Sequence, residues 1–141
     1  VSVIPKGLWE PWGLYRKPIS EKTVAQNLRL WKAGALCRES EDTPFMDLIQ
    51  SEKTPQIERK IASHPNIKPQ SFMRKIVYAA LPLGEGIVLD SFSGSGSTLA
   101  AATFLGIDSI GIEKDREFFE MSQNAVPKLA ALYPDQTKLL L

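Results

Sequence analysis

The chain holds 141 residues, 43% of them hydrophobic, with 17 Lys and Arg against 16 Asp and Glu for a formal net charge of +1. That length supports one domain with a core and not two. The near balance of charge excludes a dedicated nucleic-acid binder held by an overall basic excess, so any such contact must be local. A lone Cys37 offers neither an internal disulfide nor a C-x-x-C zinc pair, and is read as a buried or idle thiol. No apolar run reaches membrane-spanning length, which predicts a soluble cytoplasmic protein without metal or membrane contact. A start at Val1 with no signal-peptide pattern predicts a processed, renumbered or excised product.

In chain order, "VSVIPKGLWEPWGLYRKPIS" sets Pro5, Pro11 and Pro18 among Trp9, Trp12 and Tyr15. Prolines at that spacing interrupt a helix or a central strand, so the stretch reads as an extended segment lying on another surface. "SEKTVAQNLRLWKAGA" then predicts an amphipathic helix with Ser20 as N-cap, Val24, Leu28 and Trp31 on one face, and Gly34 as its stop. Short helices are expected over 44–50 and 55–62. After "SHPNIKPQ", Pro69 opens a helix with Phe72, Ile76 and Ala80 on one face, closed by Pro82 and Gly84.

Ile87 to Asp90 is a short apolar run bounded by glycine, as in a fully buried parallel strand. The turn "SFSGSGS" and a helix of roughly ten residues ending near Gly106 follow it. "DSIGIEKD" predicts a second strand, Ser109 to Glu113, and Asp115 to Leu132 a closing helix with Phe118, Met121 and Leu129 for packing and Pro127 placed to break it. Strand, helix, strand implies a parallel pair.

Three ligands compete for the glycine turn. A nucleoside triphosphate needs G-x-x-x-x-G-K-[ST], and no lysine follows Gly96. A dinucleotide needs a third glycine or alanine where Leu99 stands, and Asp90 would set a carboxylate near its pyrophosphate. S-adenosylmethionine carries no phosphate, so an acid at the strand end assists it. Glu113, about twenty residues beyond Asp90, stands where an acid accepts hydrogen bonds from ribose hydroxyls in such folds. The bland alternative is that Gly94 and Gly96 only permit a tight turn and that Glu113 is a solvated strand end.

"HPNIKPQSFMRKIV", "GIVLDSFSGSGSTLAAATFLG" and "IGIEKDREFFEMS" resemble, in order and spacing, the C-terminal half of the bacterial amino-group DNA methyltransferases. The similarity is to the permuted class, in which the catalytic motif precedes the cofactor motifs. It implies a partial, Rossmann-like α/β methyltransferase fold, with parallel strands and flanking helices, that binds S-adenosylmethionine. By this resemblance Asp90, Ser91, Phe92, Ser93, Gly94, Ser95 and Gly96 form the cofactor motif and Glu113 is the ribose acid. His64, Pro65, Lys68 and Pro69 match "HPxxKP", which holds the methionine end; His64 is given no catalytic role. The family's "DPF" reads "DSF" here and its "GSGTT" reads "GSGST".

The family's catalytic tetrapeptide, [DNS]-P-P-[YFW], occurs nowhere in the 141 residues. The resemblance therefore implies the cofactor-binding part of a longer enzyme acting on adenine N6, ahead of cytosine N4, in DNA. Residues 63–141 would be its cofactor subdomain and residues 1–62 a variable, target-recognition region, where Arg16, Lys17, Arg29 and Lys32 accompany the aromatics. The alternative is an inactive remnant or interaction module that keeps the fold. A two-stranded sheet also leaves an edge and a face without partners, which predicts a homodimer, association with the missing catalytic segment, or an exposed apolar sheet face.

Overall fold

The computed structural model describes residues 10–135; Pro5 and Trp9 of the first segment lie outside them. Residues 10–19 form no helix or strand, as the prolines require, and Trp12 packs edge-on against Phe45 with centroids 6.3 Å apart. Helix α1 spans Val24–Trp31. Its N-cap is Thr23, whose side chain accepts from the Gln26 N–H, and not the expected Ser20. The Ser20 hydroxyl is instead an acceptor for the Trp31 indole N–H at 2.8 Å. Of the expected apolar face Leu28 is half-buried but Val24 and Trp31 are exposed, Trp31 to 61%, while Asn27 is the buried residue, donating to the Ala33 carbonyl and accepting from the Ser20 N–H. The expected helix over 44–50 does not form, because Phe45 is drawn to Trp12.

Helix α2, Gln56–Ile61, follows Pro55, and helix α3, Gln70–Ala80, follows Pro69. Strand β1, Ile87–Asp90, helix α4, Ser97–Phe104, strand β2, Asp108–Gly111, and helix α5, Arg116–Ala130, complete the chain. The strands pair in parallel, Ile87 with Asp108 through Asp90 with Gly111. Alternation along them sends Val88 and Asp90 inward and leaves Ile87 and Leu89 each 61% exposed, so β1 is covered on one face and not on both as expected. Ile110 and Ile112 continue that exposed apolar face.

Helix α4 is the centre of the core. Ala100, Ala101 and Ala102 are fully buried, and together they serve two clusters: Ala62, Ile67, Ala125 and Leu129 on one side, Val77 on the other. A helix apolar all round is one packed on several sides, and alanines let α3 and α5 approach its backbone closely. The packed face of α3 also differs from expectation. Gln70, Arg74 and Val77, at i, i+4 and i+7, are buried instead of Phe72, Ile76 and Ala80.

Arg74 explains the rotation. Its guanidinium lies 3.4 Å from the Phe104 ring centroid and donates to the carbonyls of Leu129, Ala130, Leu132 and Tyr133, closing the C-terminal end of α5. Pro127 was expected to break α5, but the helix runs on through it to Ala130, and Arg74 binds carbonyls at and just beyond that end. Glu58, equally buried, accepts from the Gln70 N–H at 3.1 Å and sets an anion at the start of α3. Burial raises the Glu58 pKa above that of an ordinary glutamate and lowers that of Arg74, each charge partly offsetting the other's penalty.

Candidate cofactor site

The carboxyl ends of both strands meet at the glycine turn. The ladder runs on past the strands: Ile112 N–H donates to the Asp90 carbonyl at 2.8 Å and Ser93 N–H to the Ile112 carbonyl at 3.0 Å. Asp90 closes its own turn, accepting from the Phe92 N–H at 3.1 Å. Glu113 lies two positions beyond the end of β2, a correction to its expected place within the strand. One of its carboxylate oxygens accepts from Gly94 N–H and the other from Asp115 N–H, both at 2.9 Å. The hydrogen bond from Asp115, then that from Gly94, holds the Glu113 pKa below that of an ordinary glutamate. The carboxylate thus staples the turn after β1 to the loop after β2.

What approaches the turn's backbone is protein. Gly94 and Gly96 have φ of +51° and +82°, and both are buried, as are Ser93, Ser95 and Ser97. A Cβ on Gly96 would overlap the Val126 side chain of α5, and one on Gly94 would stand 3.1 Å from His64 Nε2. The glycines therefore serve close packing as well as turn geometry. The surface left open consists of Ser91 and Phe92, the latter 90% exposed, with Asp90, Glu113, His64 and Lys68 half-buried beside it.

The "HPNIKP" segment is fastened to this turn at several points. His64 stacks edge-on against Phe118 with centroids 4.4 Å apart, and its Nδ1 accepts from Asn66 N–H at 3.1 Å. Lys68 N–H donates to Ser97 Oγ at 3.3 Å, and Gln70 Nε2 donates to the Ser97 carbonyl at 3.0 Å. Pro69 is buried directly before α3. The Lys68 ammonium meets both oxygens of the Glu10 carboxylate at 2.7 Å. His64 and Lys68 are thus held against the glycine turn and the helix behind it, and Glu113 is tied across to Gly94, while Ser93 to Gly96 lie buried between them.

Sequence reasoning missed Glu10, Phe118 and Ser97 as neighbours of that wall. Phe118 had a helical-face signal but not its histidine partner, and the Glu10 contact spans 58 positions, beyond any local pattern. Two open clefts of about 260 and 540 Å³ lie elsewhere, lined by Trp12, Leu14, Leu36 and Phe45 and by Tyr15, Arg16, Val24 and Ala80. Neither contains a sequence-derived cofactor residue.

Two parallel strands, a glycine turn leading from the first into a buried helix and an acid just after the second define an α/β fold in which turn and acid meet at the carboxyl ends of the strands. The chain belongs to the N6/N4 DNA methylase family, whose pattern matches residues 6–124. It is 31% identical over 81 residues to the type II methyltransferase M2.MboI of Moraxella bovis, covering 57% of this chain and 29% of that protein. It is 32% identical over 77 residues to the type II methyltransferase M2.DpnII of Streptococcus pneumoniae, covering 55% of this chain and 28% of that one. The crystal structure of the M1.HpyAVI–SAM complex superimposes with a TM-score of 0.51 at 29% identity, over 65% of this chain and 43% of that chain. The fold is thus part of an α/β methyltransferase, and the chain spans less than a third of the curated relatives it matches.

Proposed function

We propose that this chain is the S-adenosylmethionine-binding portion of a site-specific DNA methyltransferase that modifies an exocyclic amino group, adenine N6 ahead of cytosine N4, as one partner of a restriction–modification pair. The observation that carries the reading is Glu113, which reaches across to Gly94 N–H at the shared carboxyl end of both strands. Each of its oxygens takes one N–H and retains a further lone pair for a ribose hydroxyl. Lys68 supplies a cation that already accommodates a carboxylate with both oxygens, as the methionine end requires. The exposed Phe92 ring offers an apolar surface to adenine, and Asp90 sets an acid toward the ammonium end. His64 and Pro65 complete the wall, and Ser91 and Ser93 to Gly96 shape the turn beneath it.

When bound, the sulfonium supplies an activated methyl group: the base nitrogen forms the new N–C bond, the C–S bond breaks to the neutral thioether, and the amino group loses a proton. Residues of this chain bind and orient for that step. Acceptors for the amino protons are assigned to a catalytic [DNS]-P-P-[YFW] segment contributed from outside these 141 residues, which would cover the apolar sheet face of Ile87, Leu89, Ile110 and Ile112. A homodimer across that face is the other arrangement. Residues 63–141 are the cofactor subdomain, and residues 1–62 a DNA-facing region in which Tyr15 and Trp31 are 93% and 61% exposed and are followed in the chain by Arg16 and Lys32. The absent tetrapeptide favours a second reading for the chain by itself, an inactive module that keeps the fold.

Calorimetric titration with S-adenosylmethionine tests the proposal. One site is expected, lost in Glu113→Ala and Asp90→Ala variants that remain folded by circular dichroism. A folded wild-type chain that takes up no cofactor overturns it in favour of the module.

A further inference from the structure

The Glu10–Lys68 pair joins the cofactor wall to the irregular segment that opens the described structure. Lys68 is fixed at its backbone by Ser97 and backed by buried Pro69, so its position is set by α3 and α4. Glu10 is less enclosed: its side chain is 74% exposed, against 38% for Lys68. The stretch behind it is pinned at Arg16, whose guanidinium donates to the Gly34 carbonyl. An exposed carboxylate on an irregular segment therefore sits, with both oxygens at 2.7 Å, on the cation that the proposed function assigns to the methionine carboxylate.

We propose that Glu10 is an internal competitor for that carboxylate. The two anions have the same charge and the same two-oxygen geometry, and an ammonium 2.7 Å from both Glu10 oxygens has at most one of its three N–H donors left for a second carboxylate. Cofactor binding then displaces Glu10 from Lys68 and frees that end of the segment, while Arg16 keeps its hold on the Gly34 carbonyl. By reciprocity, a ligand that draws this segment away from the wall tightens cofactor binding by the same factor. This inference rests on the reading in which Lys68 receives the amino-acid end of the cofactor.

The contact is an exposed ion pair, so the latch is shallow. Releasing it should improve affinity roughly two- to sixfold, the gain from making the competent state fully populated.

The test is titration of the whole chain, wild type, Glu10→Gln, Lys68→Met and the double variant, with S-adenosylmethionine and with methylthioadenosine, which lacks the amino-acid end. Glu10→Gln should tighten S-adenosylmethionine at low salt and leave methylthioadenosine unchanged. The gain should vanish in the Lys68→Met background and shrink toward unity at about 1 M salt. If wild type binds, Lys68→Met weakens binding and Glu10→Gln changes nothing, the competitor is refuted while the cofactor site stands. If no form binds S-adenosylmethionine, the cofactor reading fails and the competitor with it.

Discussion

Replacing Arg74 with methionine keeps most of the side chain's length and removes its charge, which isolates what the guanidinium does for α5. Arg74 is 1% exposed, donates to four carbonyls from Leu129 to Tyr133, and shares its low-dielectric surroundings with Glu58, also 1% exposed. The variant strands those carbonyls and leaves Glu58 without its counter-charge. Leaving several buried carbonyls without their charged donor costs about 3–5 kcal/mol, a large share of the roughly 5–15 kcal/mol that holds a domain together. The midpoint of thermal unfolding should fall by roughly 10–20 °C. Urea unfolding of wild type, Arg74→Met, Glu58→Gln and the double variant gives the coupling directly. We expect the double variant to be less destabilised than the sum of the single ones, by about 1–3 kcal/mol. An Arg74→Met protein within about 1 kcal/mol of wild type, or strictly additive effects, would refute the account of how α5 is closed.

Three further outcomes follow from the same geometry. Gly96→Ala places a Cβ against Val126 at a φ of +82°, and should cost about 2–4 kcal/mol in urea unfolding; a loss below about 1 kcal/mol would show that α5 yields. Glu113 has a lowered pKa in the folded chain, so its stabilising bonds are complete above the ordinary glutamate value and are lost as pH falls through the folded one. The Gly94 and Asp115 amide resonances should therefore titrate together with a midpoint below about 4.3, and a midpoint at or above that value contradicts the staple. On the exposed sheet face, Leu89→Lys combined with Ile110→Lys should change stability by no more than about 1 kcal/mol while reducing self-association in sedimentation and binding of an apolar-surface dye; unchanged dye binding would show that this face is not the apolar surface.

The elements legible in the sequence were those whose signals are local. Ile87 to Asp90, the glycine turn and the helix behind it are adjacent in the chain, and Pro55, Pro69 and Asp115 mark helix starts by backbone chemistry that acts within one turn. The misplaced features depend on distant partners. Arg74 and Gln70 are polar, so periodicity assigned them outward, whereas carbonyls from α5, the Glu58 carboxylate and Ser97 draw them in. Ser20 was the expected cap, but its hydroxyl accepts from the Trp31 indole and donates to Glu21, and Thr23 caps the helix instead. Phe45 left its expected helix for Trp12, a ring 33 residues away in the chain. The site followed the same division: the motif residues were readable one by one, but the burial of Gly94 beneath His64 and the grip of Glu10 on Lys68 arise only from the fold.

The most direct measurement is a nitrogen-15 correlation spectrum of the chain titrated with S-adenosylmethionine. The account predicts saturable shifts at Phe92, Gly94, Glu113 and Asp115 and at Lys68, all on the wall at the strand ends. Shifts confined to Trp12, Leu36 and Phe45 would move the ligand to the clefts beside the first segment, and a folded chain with no shifts would contradict cofactor binding altogether.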